Sequence, residues 1–146
     1  MQMELDEIIY NAIKASEAVS NETAGRIYST CIEVPPTEDD NTPLPYIVIT
    51  DGGYQNELGT KDYVWEGPTD HCKASVIVSA NSPAEVKRLR RLIRQAIELH
   101  VVSMAEPPML TASNNDGVAW DWTKPCYYDT LHYQCDMEVL TEDNNE

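Results

Sequence analysis

Ala74-Ser75-Val76-Ile77-Val78-Ser79-Ala80-Asn81-Ser82-Pro83-Ala84-Glu85-Val86 contains the junction that decides the fold. As far as Ser79 the stretch reads as a strand, with Cys72, Ala74, Val76 and Val78 alternating onto one face. At Ser82 the pattern becomes that of a helix start. Ser82 can accept from the backbone N–H of residue 85, Glu85 can reach back, and Pro83 fills the first helical position, where a missing N–H costs nothing. The helix is expected to run to about His100. Val86, Leu89, Ile93, Ala96, Ile97 and His100 share one face, and Lys87, Arg91 and Arg94 the opposite one, with Arg88 and Arg90 on its flanks.

Upstream, Pro45-Tyr46-Ile47-Val48-Ile49-Thr50 reads as another strand, with Asp51-Gly52-Gly53 as its stop. Arg26 to Val34 is rich in β-branched and aromatic residues and reads as a strand too. The segment from Pro35 to Pro43, with three prolines and the acidic block Glu38-Asp39-Asp40, reads as an exposed loop. Before these, Leu5, Ile8, Ile9, Ala12, Ile13 and Ser16 form one stripe at helical period, predicting a helix from Leu5 to Val19. A turn over Ser20 to Gly25 ends it.

Downstream of Thr50 the pattern is less regular. Asp62 to Glu66 reads as a short edge strand closed by Gly67-Pro68. Residues 101–119 read as irregular, on Glu106-Pro107-Pro108 and Ser113-Asn114-Asn115-Asp116-Gly117. A long strand is expected from Tyr127 to Leu140. Leu131, Tyr133, Cys135, Met137 and Val139 point one way, and His132, Gln134, Asp136 and Glu138 the other. Thr141 to Glu146 reads as a frayed acidic tail. This order predicts an α+β domain, a mainly antiparallel sheet with two principal helices packed on one face. Residues 1–146 read as a single domain with its core over about 5–140.

Composition narrows the function classes. The chain has 146 residues, 42% of them hydrophobic and 24% charged, in keeping with one soluble domain. Its formal net charge of −15 repels phosphate backbones, which argues against sequence-specific nucleic-acid binding. No run approaches the ~20 apolar residues that span a membrane. The start, Met1 to Glu7, lacks the basic and apolar segments of a secretion signal, so synthesis and action in a cytoplasm are expected. The four cysteines, Cys31, Cys72, Cys126 and Cys135, are widely spaced, contain no CxxC, and read as small buried apolar residues.

Catalytic signatures are missing. The sequence has no nucleophile elbow, Walker loop or GxGxxG. A metal site built from His132, Cys135, Cys126, His71 and Cys72 meets a geometric objection: His132 and Cys135 stand at odd spacing on a regular strand and point to opposite faces. Acid–base chemistry would need Asp129, His132, Asp70 and His71 to converge, which nothing in the spacing requires. No catalytic residue, metal or cofactor is therefore expected. The more informative feature is the basic helix. Lys87, Arg88, Arg90, Arg91 and Arg94 are five of the ten Lys and Arg residues of a very acidic chain. They are a solvated face balanced by Glu85 and Glu98, or a patch that meets an acidic surface of the next subunit, such as Glu38-Asp39-Asp40, or, against the overall charge, a contact for nucleic acid.

Taken together, Ile8-Ile9-Tyr10-Asn11-Ala12-Ile13, Gly25-Arg26-Ile27-Tyr28, the acidic proline-rich loop entering Pro45-Tyr46-Ile47-Val48-Ile49, and the join from Ala74-Ser75-Val76-Ile77-Val78 to Ser82-Pro83-Ala84-Glu85 resemble the phage tail-completion, or tail-terminator, proteins, some described as head–tail joining proteins. The resemblance covers residues 5–100 and, more loosely, the last strand. It departs at 101–126, where the segment with Trp120-Asp121-Trp122 looks like a loop insertion. It implies a non-enzymatic structural subunit, made in a host bacterial cytoplasm and placed in the virion tail. Copies would join in a ring, often of six, that caps the tail tube and meets the head connector. Two other classes are compatible with the residues alone: a monomeric protein-binding adaptor or inhibitor domain, and a small metal-dependent or acid–base enzyme.

Overall fold

The structure, a computed structural model, describes residues 5–29, 43–57, 69–104, 109–122 and 125–138. Helix α1 spans Leu5–Ala15 and α2 spans Glu17–Thr23. The strands are β1 Ile27–Ser29, β2 Tyr46–Glu57 and β3 Thr69–Ala80, and, after helix α3 Pro83–Ser103, β4 Met109–Asn115, β5 Ala119–Asp121 and β6 Cys126–Glu138. The sheet order is β1-β2-β3-β6-β4, and β5 also pairs with β6. Every pairing is antiparallel except β1 with β2, which is parallel. The expected class, an α+β fold with a mainly antiparallel sheet, is the one observed.

Register explains why one face is apolar. Ile47 stands opposite Val78 and Ile49 opposite Val76 across β2 and β3, and Val76 and Ala74 stand opposite Leu131 and Tyr133 of β6. These side chains point to one side and share a single buried cluster with Ile8, Ile9 and Ile13 of α1 and Val86, Leu89, Ile93 and Ile97 of α3. Both helices therefore lie on the same face. At about 25 cal/mol per Å² of apolar surface removed from water, each fully buried Ile or Leu contributes roughly 2 kcal/mol to holding them there.

Three details depart from the sequence reading. The N-terminal helix is not continuous to Val19. It breaks at Ser16, whose extended backbone (φ −81°, ψ 115°) and hydroxyl, accepting from Val19 N at 3.3 Å, start α2. Asp51-Gly52-Gly53 does not stop β2. The strand runs on to Glu57 with a register shift between Asp51 and Tyr54, and a Cβ on Gly52 would come within 3.0 Å of the Lys73 Cβ and carbonyl oxygen. Residues 101–126 are not loop throughout, because α3 continues to Ser103 and both β4 and β5 pair with β6. The first strand is described only over Ile27–Ser29.

The Asp62–Glu66 strand, most of the Pro35–Pro43 loop and the Thr141–Glu146 tail fall outside the described residues. No helix among those described is long and apolar enough to cross a membrane. The capping box is present: Ser82 Oγ accepts from Glu85 N at 3.2 Å, while Glu85 Oε1 reaches back to Asn81 N at 3.0 Å.

Candidate interaction surface on helix α3

Helix α3 buries Val86, Leu89, Ile93, Ala96, Ile97 and Val101 against the sheet. The same 3.6-residue period turns Lys87, Arg88, Arg91, Arg94, Gln95 and Glu98 outward. The five basic residues do not behave alike. Arg88 reaches back to α2 and pairs with Glu22 at 2.7 Å. Arg90 turns under the helix and donates to Asp129 Oδ2 at 2.8 Å. Arg94 lies 3.9 Å from Glu98 one turn on, an exposed pair that contributes a few tenths of a kcal/mol at most. Lys87 and Arg91 have no ion pair among the described residues.

Asp129 anchors this arrangement. It is 0% exposed, and its second oxygen, Oδ1, accepts from Gly117 N at 2.9 Å. A buried carboxylate is tolerated only when its charge and lone pairs are met. Here the guanidinium and the peptide N–H meet them, tying α3, β6 and the turn at Gly117 (φ +93°) together.

Over the helix lies an open groove of about 310 Å³ lined by Lys87, Arg90, Arg91, Arg94, Gln95 and Glu98. Beneath it sits Tyr133 of β6, 5% exposed, whose hydroxyl finds no hydrogen-bond partner among the described residues. Burial pushes this phenol up to about 12, with Arg94 pulling it down and Glu98 adding to the rise. The end of α3 beyond the groove exposes Leu99 (73%) and Val102 (79%). The outer face is thus cationic along its first turns and apolar at its last.

Glu38, Asp39 and Asp40, the acidic residues expected to complement this helix, lie outside the described residues. Among the described residues, the groups considered for chemistry do not converge. Asp129 faces the helices, while His132 lies on the other side of the sheet, and the side chains of Asp70 and His71 are outside the described set. Cys72 and Cys135 are directly opposed across β3 and β6 on the helix side, away from His132. Among the described residues, no three His, Cys, Asp or Glu side chains form a group that could hold a metal ion.

His132 instead links Ser75 (Oγ to Nδ1, 3.1 Å) to Asp116 (Oδ1 to Nε2, 3.1 Å). The residue types are those of a hydrolytic triad. But Ser75 sits mid-strand between Thr50 and His132, its backbone committed to the two ladders, so no adjacent amides are free to stabilise an oxyanion. The network clips the turn at Asp116 to the sheet.

The exposed Leu99 and Val102 and the aromatic cluster of Trp120, Trp122 and Tyr127 were not anticipated from the sequence. Trp122 is 85% exposed and edge-on to Trp120 at 5.8 Å, and Trp120 meets Tyr127 at 4.8 Å. The signal for Asp129 was present: it occupies an inward position of the alternation Tyr127, Asp129, Leu131, Tyr133, Cys135.

The fold is shared with a virion protein. A chain from the solved virion of a native gene transfer agent particle superposes with a TM-score of 0.57 at 14% identity, over 93% of this chain and 96% of that one. No family model matches the sequence, and no curated protein matches it significantly. At this identity the likeness concerns the fold, and function has to be argued from surfaces.

Proposed function

We propose that this chain is a non-enzymatic structural subunit of a phage-type virion, which joins copies of itself into a closed ring that terminates the tail tube, joins tail to head, or both. The observation that carries the reading is the fold shared with a virion chain over nearly the whole length of both proteins. It agrees with the tail-completion resemblance, which rests on separate features of the sequence.

The surface supports assembly. A cyclic ring is a heterologous contact, in which one patch meets a different patch on the neighbour. The chain carries a net charge of −15, and half its basic residues lie on one helix, so complementary faces are built into one subunit. In this reading Lys87, Arg88, Arg90, Arg91 and Arg94 mark the basic side of the boundary. Arg88 and Arg90 brace it from within through Glu22 and Asp129. Acidic segments of the neighbour, Glu38-Asp39-Asp40 among them, supply the other side, and the ring meets tail-tube and head-connector proteins through its two rims. Synthesis in a host bacterial cytoplasm and residence in the virion tail follow from the same reading.

Negative-stain electron microscopy of concentrated protein tests it. Closed particles of uniform diameter with rotational symmetry are expected. Open filaments or irregular aggregates would overturn the ring.

A further inference from the structure

We propose that the α3 groove is the docking site for the C-terminal segment Val139–Glu146 of a second copy, laid along the helix in the opposite direction. The inference deepens the ring reading and rests on it only for the source of the segment.

The argument is one of matching order and spacing. From its C-terminal end, the outer face of α3 presents Val102 and Leu99, then Arg94 and Arg91, then Lys87. The segment presents Val139 and Leu140, then Glu142 and Asp143, then Glu146. At about 3.3 Å per extended residue, the acidic pair lies ~10 Å, and Glu146 ~21 Å, beyond the midpoint of the apolar pair. At 1.5 Å per helical residue, the midpoint of Arg94 and Arg91 lies ~12 Å, and Lys87 ~20 Å, from the midpoint of Leu99 and Val102. The two series run in the same order and agree to about 2 Å.

A second copy suits this geometry better than the chain's own tail. Arg90 meets Asp129, and Tyr133 lies within the fields of Arg94 and Glu98, so α3 and β6 run the same way. From Asp129 to Glu138 is roughly 30 Å of strand, against about 20 Å of helix from Arg90 to Ser103. Strand β6 therefore ends ~10 Å past the helix. The chain's own tail would use about three residues turning back, which shifts Glu142 and Asp143 toward the apolar end of α3 and away from Arg94 and Arg91.

The test uses a fluorescent peptide of sequence Glu138–Glu146 and, as receptor, the full chain with its own tail neutralised (E142Q, D143N, E146Q). Saturable binding is expected, weakened at least tenfold by R91Q with R94Q in the receptor, or by the same neutralisation in the peptide. Self-association of the tail-neutralised chain should fall at least tenfold relative to the native chain. No peptide binding, or binding indifferent to Arg91 and Arg94, overturns the inference. If the tail-neutralised chain still forms the native oligomer, the inference falls while the ring reading stands. If the peptide binds but the native chain is always monomeric, the second copy as source of the segment falls together with the ring reading.

Discussion

Asp129 is held by two donors, Arg90 and the Gly117 N–H, in a position closed to water. Removing one member of such a set leaves the others buried and unmet. Asp129→Ala should destabilise the protein by about 3 kcal/mol, at the lower end for breaking a buried pair because Arg90 keeps partial solvent access. Urea unfolding measures this, and a double-mutant cycle with Arg90→Met should show the two losses to be strongly non-additive. Tyr133 predicts an effect of opposite sign. Its hydroxyl is buried without a described partner, so Tyr133→Phe should stabilise the free protein by up to about 1–2 kcal/mol. The substitution should also change the alkaline limb. The native phenol is raised from 10.0 to about 12, so from pH 10 upward the unfolded chain loses the proton first and stability falls, until the native phenol ionises near 12. Tyr133→Phe should remove that part of the loss, read as the difference between the two stability–pH curves. The sequence placed Tyr133 on the inward side of the last strand, and the same alternation carried back two residues beyond Leu131 reaches Asp129. It could not say that Arg90, thirty-nine positions away, would meet Asp129, because that contact depends on how α3 crosses β6.

Helix α3 was readable because its start, stripe and length all indicate one structure. Ser82→Ala removes the hydroxyl that accepts from Glu85 N and should cost about 1 kcal/mol, checked by chemical denaturation. Strands β4 and β5 were not readable. Ser113-Asn114-Asn115 has poor strand propensity, and what extends it is the ladder with β6, a tertiary effect that overrides local preference. The paired glycines misled for a related reason. Gly52-Gly53 has turn composition, yet Gly52 lies in a bulged strand where Lys73 leaves no room for a Cβ. Gly52→Val should therefore destabilise by about 1–3 kcal/mol through strain, measurable as a lowered melting temperature. The break at Ser16 was equally hidden. The apolar stripe continues to Val19 across it, and Ser16 acts as a cap only because its backbone turns extended there.

At the scale of the whole molecule, the sequence disclosed the segregation of charge onto one helix but not how it is divided. Arg90 is drawn into the fold by Asp129 and Arg88 is paired at the surface with Glu22, leaving Lys87, Arg91 and Arg94 as the cations turned outward toward the groove, with an apolar end at Leu99 and Val102. In the ring reading, Arg91→Glu with Arg94→Glu should weaken self-association at least tenfold and leave the far-ultraviolet circular dichroism unchanged, since neither side chain supports the core. Raising the salt concentration should weaken association of the native chain in the same direction, because a charge-complementary rim is screened. The central claim, a subunit that closes on itself, is tested most directly by native mass spectrometry over a wide concentration series. The account predicts one closed oligomer in equilibrium with monomer and no ladder of larger species. A strict monomer at every concentration, or an open-ended ladder, would contradict it.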